Sequence, residues 1–530
     1  MSATSDQPGN GAVGLDPEPA STDDGRRANA RQIRGSSLLL GGRIIGLALD
    51  FVAQVLIVQH LSKGDYGSFA IALSIVAIGT TLCLLGLERT VGRFAPIYQE
   101  NGDYGRMWGT IAVVLLSVVV IGMMVLLGVY ALQGLLGGVI GNELALALLL
   151  IMILLSPLQA LDSLMIALFA TFGSARSIFF RRYVFAPVLQ LSVVVALILT
   201  DSGVRALALG YVAVAAIGIG IFSVVLIRTL GRAGLLVHLR RDTIRLPFRE
   251  IFGFSLPLLT TDLLFVLRTS LTVILIEILR TTEEVADYRA VLPIAIQNMF
   301  VATSFRFLFT PGASRLFARG DRTALNDLYW QTAAWIAILS FPVFGLSLAF
   351  AEPIAVFLFG EVYRPAGIVL SVLVVGYYVN GALGFNSLLL RVFGRVRYLV
   401  TADLSTAVVS VAAIYLLIRE YGALGAAIGT SATLILQNAL YQWGIRTRTS
   451  VRGFDRRYVR TYVSIAAAAA VLVTIQLLLD PPLPVGIALA GTAWVGVIGF
   501  NRNALSIADS YPELLRFGIV RRLFGPTSSR

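Results

Sequence analysis

The sequence predicts an all-α polytopic membrane protein with about 14 transmembrane helices: two six-helix bundles related by a parallel internal repeat, plus two C-terminal helices. Three observations predict it. Charged residues make up 14% of the chain and apolar ones 57%, against roughly 25% charged in a soluble domain. Apolar runs long enough to span a bilayer recur from Ser36 to Phe500, and none alternates with the two-residue period of a barrel strand. Short motifs in the first half return in the same order in the second half.

The elements follow in order. Residues 1–34, rich in Ser, Asp, Pro and Gly and closing on Arg26, Arg27, Arg31 and Arg34, read as a disordered cytoplasmic tail ending in a topology signal. The apolar segment behind it is too long for a cleaved signal peptide. An N-terminal bundle, 35–230, holds spans at 36–60, 66–87, 108–132, 144–170, 182–200 and 204–227. After a basic cytoplasmic linker, 231–250, a C-terminal bundle, 251–445, holds spans at 251–276, 286–305, 326–350, 365–390, 398–418 and 422–443. A basic cytoplasmic loop, 446–460, leads to two extra helices within 461–500, at 461–479 and 484–500, and a cytoplasmic tail, 501–530.

Charge sets the expected orientation. Of 42 Lys and Arg, only Lys63, Arg205, Arg280, Arg289, Arg364 and Arg419 fall in outer connections when the N-terminus is inside. Short basic loops stay cytoplasmic, so both termini are expected inside a cytoplasmic (inner or plasma) membrane. The net charge of +12 therefore records topology and attraction to membrane lipids, and no basic soluble domain suggests a nucleic-acid partner.

Several chemistries lack their residues. Lys63 is the only lysine, and Leu-Ser-Lys-Gly-Asp at 61–65 is not a phosphate-binding loop. His60 and His238 lie on opposite sides in this topology and cannot share a metal, and Cys83 is the only cysteine. Glu283-Glu284 has the look of an acid–base pair, but a solvated loop charge explains it better. No catalytic residue, no metal site and no cofactor is expected, and the chain does not read as an enzyme.

The repeat rests on four matches. Asp65-Tyr66 returns as Asp287-Tyr288 at an offset of 222, and Gly102-Asp103 as Gly320-Asp321 at 218. Phe172-Gly173 returns as Phe393-Gly394 at 221, and the segment 202–210 as 421–429 at 219. Six spans per repeat is an even number, so both bundles enter from the same side and enclose a central cleft.

Leu-Ser-Lys-Gly-Asp-Tyr-Gly-Ser-Phe-Ala (61–70), Leu-Gly-Leu-Glu-Arg-Thr-Val-Gly-Arg-Phe (85–94) and Tyr-Gly-Ala-Leu-Gly-Ala-Ala (421–427) resemble the polysaccharide-transporter family. These are oligosaccharide-lipid flippases of the multidrug/oligosaccharidyl-lipid/polysaccharide (MOP) exporter superfamily. The resemblance covers about residues 34–500. It implies a V-shaped cavity whose cationic lining receives the pyrophosphate of a polyprenyl-pyrophosphate glycolipid, for cell-surface polysaccharide or glycan assembly. It also leaves room for a polysaccharide polymerase or glycosyltransferase as partner.

Within that frame, charged residues at membrane depth are the candidates, because an unpaired arginine there costs roughly 2.5–3.5 kcal/mol on insertion scales. Arg43, Asp50 and Gln54 share one stripe of the first span. Arg268, with Asp262 six residues earlier, lies in the seventh, near the repeat-related position of Arg43. Forked guanidiniums facing each other would bracket a diphosphate. The competing readings are that Arg43 snorkels to the cytoplasm and that Arg268 pairs structurally with Asp50 or Asp262. Gln297 and Asn298 are added because the eighth helix borders the cleft in the resembling fold. Arg89, Arg93 and Arg306 stand at the cytoplasmic mouth as gate residues. Coupling to H+ or Na+ through Asp50 or Asp262 and consumption of product outside both remain open, and the lipid tail is expected to leave between the first and the seventh or eighth spans. The alternatives are a cation-coupled multidrug exporter, a lipid II flippase and, from another class, a membrane-embedded polysaccharide polymerase or ligase.

Overall fold

The computed structural model describes residues 22–173, 175–239 and 244–505, and they form helices with no strand. The first bundle runs through α1 (Thr22–His60), α2 (Lys63–Leu84), α3 (Leu87–Glu100), α4 (Tyr104–Ala131), α5 (Gln133–Ile140), α6 (Glu143–Met152) and α7 (Leu155–Phe172). It closes with α8 (Ala175–Ile178), a π-helical turn at Phe179–Phe185, α9 (Ala186–Leu199) and α10 (Val204–Arg232). The second bundle comprises α11 (Phe248–Leu279), α12 (Thr282–Ile296), a tight turn at Gln297–Met299, α13 (Phe300–Ala318), α14 (Arg322–Ala349) and α15 (Ala351–Phe359). It continues with α16 (Ala366–Ala382), α17 (Asn386–Val392) and α18 (Val396–Arg448). Two more helices, α19 (Val459–Leu479) and α20 (Leu483–Leu505), pack on α14. Residues 22–34, which composition assigns to the tail, continue α1, whose Ala, Arg and Gln are good helix formers. Residues 1–21 and 506–530, and with them most of both expected tails, lie outside the described residues.

Eleven helices among the described residues are long and apolar enough to cross a membrane, or twelve with the bent pair 282–306 and 309–318 counted as one span. One of these, α18, is two helices joined at Gly422, whose φ of 57° and ψ of −133° break the helix. Its arms run back on each other, since Gly425 lies against Leu417 and Gly429 against Ile414. The 32-residue α11 also has spanning length. Eleven or twelve pass on length and hydropathy, and the expected fourteen is reached only by counting the two arms of α18 separately and adding α11 on length alone.

The repeat is visible in local chemistry. Gly102 (φ 70°) precedes Asp103, whose carboxylate accepts from Arg106 N at 3.0 Å and caps α4. Gly320 (φ 73°) precedes Asp321, which accepts from Ala324 N at 2.9 Å and caps α14. Left-handed glycine followed by an N-cap aspartate is the same start signal used twice, each cap contributing about 1 kcal/mol. The second span of each half is broken too, at Leu85-Gly86 between α2 and α3, and at Gln297–Met299 between α12 and α13.

The apolar core shows where the bundles meet. One buried cluster at the Lys63 end draws on both halves, with Ile57, Tyr66 and Phe69 packed in the same core as Val285, Tyr288 and Leu373. At the other end one cluster gathers around Leu87, Trp108 and Phe169 of the first half and takes in Ile251 of α11, while another, around Phe309, Trp330 and Tyr441, lies within the second. The bundles thus share a broad core at the Lys63 end and meet at the Arg89 end through α11.

Candidate functional site: an arginine-lined cavity

The apolar run of α11 carries Arg268 to mid-helix, where it is half-buried. Its Nη1 donates to Gln437 Oε1 on the second arm of α18 at 3.3 Å. The Gln437 amide nitrogen donates to Asp403 Oδ1 at 2.8 Å and to the Tyr441 hydroxyl at 3.0 Å, and that hydroxyl in turn donates to Asp403. The amide oxygen therefore faces the arginine and its nitrogen faces the carboxylate. This orients one corner of the guanidinium and leaves its other donors for the space beyond, because arginine has five.

That space is a cavity of about 560 Å3 between α11, α12, α13, α16 and α18. Arg268, Arg289 and Arg306 line it, with Thr269, Thr430 and Asn380 among the neutral polar groups and no Asp or Glu among the described lining residues. Arg289 stands midway along α12 and is within electrostatic reach of Tyr288, of Tyr377 and of Tyr66 in the first bundle. Three cations facing one cavity without a lining acid suit an anion chemically: forked donors match phosphoryl oxygens, and low polarity strengthens each contact. Asn380, Asn386 and Asn438 tie α16, α17 and α18 together, with Asn438 donating to Asn380 and accepting from Asn386, both at 2.7 Å.

Of the residues expected at the site, Arg268 and Arg306 reach this cavity; the others stand elsewhere. Arg43 is half-buried on α1 with no ion-pair partner among the described residues. Asp50 is exposed on the same helix, and Gln54 donates to the Tyr66 hydroxyl. Gln297 lines an apolar pocket between α1, α13 and α14, and buried Asn298 donates to Ala295 O at 3.1 Å within the helix break. Asp262 pairs with Arg89 of α3 at 2.8 Å, not with Arg268. Arg93 stacks on Phe254 of α11, 4.5 Å from the ring centre. Arg89 and Arg93 thus hold α3 of the first bundle against α11 of the second, aided by Tyr98, which donates to Glu250.

The opposite end carries a second latch. Lys63 Nζ lies 2.8 Å from Asp287 Oδ1 and donates to Val362 O at 3.1 Å, so one lysine joins α2 to two segments of the other bundle. Both side chains are about 10% exposed, at 11% and 9%. Asn142 bridges Ser68 and Thr282 at 3.0 and 2.9 Å. Gly67 allows the approach, since a Cβ there would stand 2.2 Å from Thr282 O. Beside it, Glu284 accepts from Ala423 N at 2.7 Å, capping the second arm of α18, and Arg280 donates to the carbonyls of Ile418 and Arg419 that end the first. Glu284 is therefore a helix cap, not a solvated loop charge.

Two features escaped the sequence reading. Arg289, counted among outer-loop residues, lines the cavity; the signal was its position inside the 286–305 span. The Lys63–Asp287 latch was signalled by a lone lysine beside one of the repeat motifs.

The comparisons agree with this architecture. Residues 57–368, more than half of the chain, match the family described as "Polysaccharide biosynthesis protein". Among solved structures, the lipid II flippase MurJ in an inward closed conformation superposes with a TM-score of 0.69 at 13% identity, covering 89% of this chain and 100% of that one. An inward-facing multidrug resistance MATE family transporter of the MOP superfamily gives 0.59 at 14% identity, covering 76% and 93%. The MATE multidrug transporter DinF-BH gives 0.52 at 14%, covering 78% and 95%. No curated protein matches the sequence. The chain belongs to the polysaccharide biosynthesis protein family and has the fold of the MOP exporters.

Proposed function

We propose that the chain is a flippase that moves a polyprenyl-pyrophosphate-linked oligosaccharide across the cytoplasmic membrane by alternating access. The observation that carries this reading is the cavity lined by Arg268, Arg289 and Arg306 with no acid among its described lining residues. Such a lining favours a diphosphate and repels the cationic drugs that a multidrug exporter of this fold would carry. Family membership supports a role in polysaccharide assembly. Arg43, unpaired among the described residues on α1, is the contribution of the first bundle once the bundles rearrange. Asp50 is the carboxylate at which coupling to H+ or Na+ is to be sought. With both termini in the cytoplasm, the Lys63 end faces outward and the Arg89 end inward.

The test is flipping of a fluorescent polyprenyl-pyrophosphate glycan in proteoliposomes. Wild type should flip, Arg268→Ala and Arg289→Ala should each slow it, and the pair together should slow it most. Undiminished flipping by the double variant would refute the site, and no flipping by wild type would refute the function. The likeness to a lipid II flippase favours a second reading that differs only in the sugar. Parallel liposomes loaded with lipid II separate the two.

A further inference from the structure

Arg268 borders two spaces. One is the polar cavity; the other is an apolar groove of about 670 Å3 between α11 and the first arm of α18. Leu264, Leu267, Leu271 and Leu275 form the α11 wall, at the three- and four-residue spacing of a single helix face. Residues 404–416 supply the other wall at the same spacing, and Arg268 is the one charged group among the described lining residues. Leu404 and Val408 are 50% and 66% exposed, so the groove opens on the outer flank of the bundle, where lipid would stand. Twelve residues of helix from Leu264 to Leu275, rising about 1.5 Å per step, make it about 16 Å long.

A second apolar pocket, of about 420 Å3, lies where the tail was expected to pass, between α1, α13 and α14, and carries no charged residue among its described lining. Of these two apolar spaces, the α11–α18 groove is the one that joins an apolar wall to a cation of the cavity. Asp403, which fixes Gln437 and through it Arg268, precedes Leu404 of the groove wall, so the head-group contact and the wall are built on the same turn of α18.

We propose that the α11–α18 groove seats the isoprenoid tail next to the pyrophosphate, with Arg268 at the junction of head and tail. The assignment rests on the flippase reading and names the tail's path within it. An amphiphile with an anionic head and an apolar chain needs adjoining polar and apolar spaces, and Arg268 stands at their common border. Exchanging lipid contacts for leucine contacts changes little in free energy. The groove therefore orients the tail without gripping it, as a carrier that must release its cargo requires.

The experiment uses the full chain in proteoliposomes and a polyprenyl pyrophosphate carrying a diazirine on the isoprene nearest the pyrophosphate. Photolabel displaced by unlabelled polyprenyl pyrophosphate is expected within 264–275 and 404–416. Ala407→Trp, which fills the groove, is expected to slow flipping by about tenfold, the scale of an overpacked contact, while Ala48→Trp in the other pocket leaves the rate within about twofold of wild type. Competed label at 44–51 and 297–301 instead would overturn the groove and leave the flippase reading standing. No competed label anywhere would overturn both.

Discussion

Replacing Lys63 with Met tests whether the latch at its end holds the bundles together. Met keeps the length and apolar stem of lysine but removes the charge that faces Asp287 at 2.8 Å. Both groups are nearly buried, and removing one partner of a buried pair costs about 3–5 kcal/mol because the other charge is stranded. Separating the bundles rehydrates Asp287 and relieves that cost, so the penalty falls on the closed form alone. At 1.4 kcal/mol per decade, the ratio of closed to open should move towards open by about two decades or more. Spin labels at Glu143→Cys and Glu283→Cys report the gap, since both positions are exposed and adjoin the Asn142–Thr282 contact. Buried Cys83 is shielded from the label. Lys63→Met should add a long-distance population, and Lys63→Met with Asp287→Leu should remove most of it, because an apolar pair strands no charge. An unchanged distance distribution in Lys63→Met, or a double variant as open as the single one, would refute the reasoning.

Three further outcomes are expected. Gly67→Ala brings a Cβ to 2.2 Å from Thr282 O; backbone must move, so the same spin pair should widen without any change of charge. Arg268→Lys keeps the charge but loses the fork, and binding of a soluble pyrophosphate competitor should weaken about tenfold in a fluorescence displacement assay. Asp455, outside the spans, is held at about 2 by hydrogen bonds from Arg457, with a smaller contribution from Asn326. A carboxyl depressed from 3.8 to about 2 stabilises the fold above its unfolded value, and that stability is lost as pH falls through the folded value. The shift corresponds to about 2.5 kcal/mol in full, and to roughly 1–2 kcal/mol after screening at the half-exposed Arg457. The melting-temperature gap between wild type and Asp455→Asn should hold above pH 4 and shrink below it, and a gap unchanged down to about pH 2 would contradict this linkage.

The fold was legible because its determinants are local. Span length follows from apolar runs, and the duplicated glycine–aspartate starts at 102–103 and 320–321 can be read without knowing which helices touch. Arg268 was legible for the same reason, a charge inside an apolar run. Pairings between bundles were not. Asp262 offers no local sign that its partner is Arg89 rather than Arg268, six residues away on its own helix, because that choice is made when α3 docks on α11. Glu284 likewise reads as a loop charge until α18 folds back and presents the amide of Ala423. Arg289 shows a different limit. The helix starts at Thr282 rather than at the expected 286, and that one-turn error moves Arg289 from the outer connection to mid-helix and into the cavity, boundaries being the least certain part of a sequence reading.

The two latches are unequal, and the inequality sets which end yields first. Lys63 and Asp287 are 11% and 9% exposed, whereas Arg89 and Asp262 are 48% and 29% exposed. An exposed pair such as Arg89–Asp262, wet and screened, contributes about 0–1 kcal/mol. The apolar core points the same way, drawing on many residues of both bundles at the Lys63 end and, among its buried members, joining them only through Ile251 of α11 at the Arg89 end. The Arg89 end should therefore open at low cost and respond to ionic strength, since the screening length falls to about 3 Å at 1 M salt. Spin labels at the repeat-related ends of α3 and α13, on Glu100→Cys and Arg319→Cys, should broaden and lengthen between low and high salt, while the Glu143–Glu283 pair stays fixed. The opposite pattern, with the Lys63 end loosening in salt and the Arg89 end unmoved, would mean that burial does not rank these contacts and that the cavity first meets water from the other side.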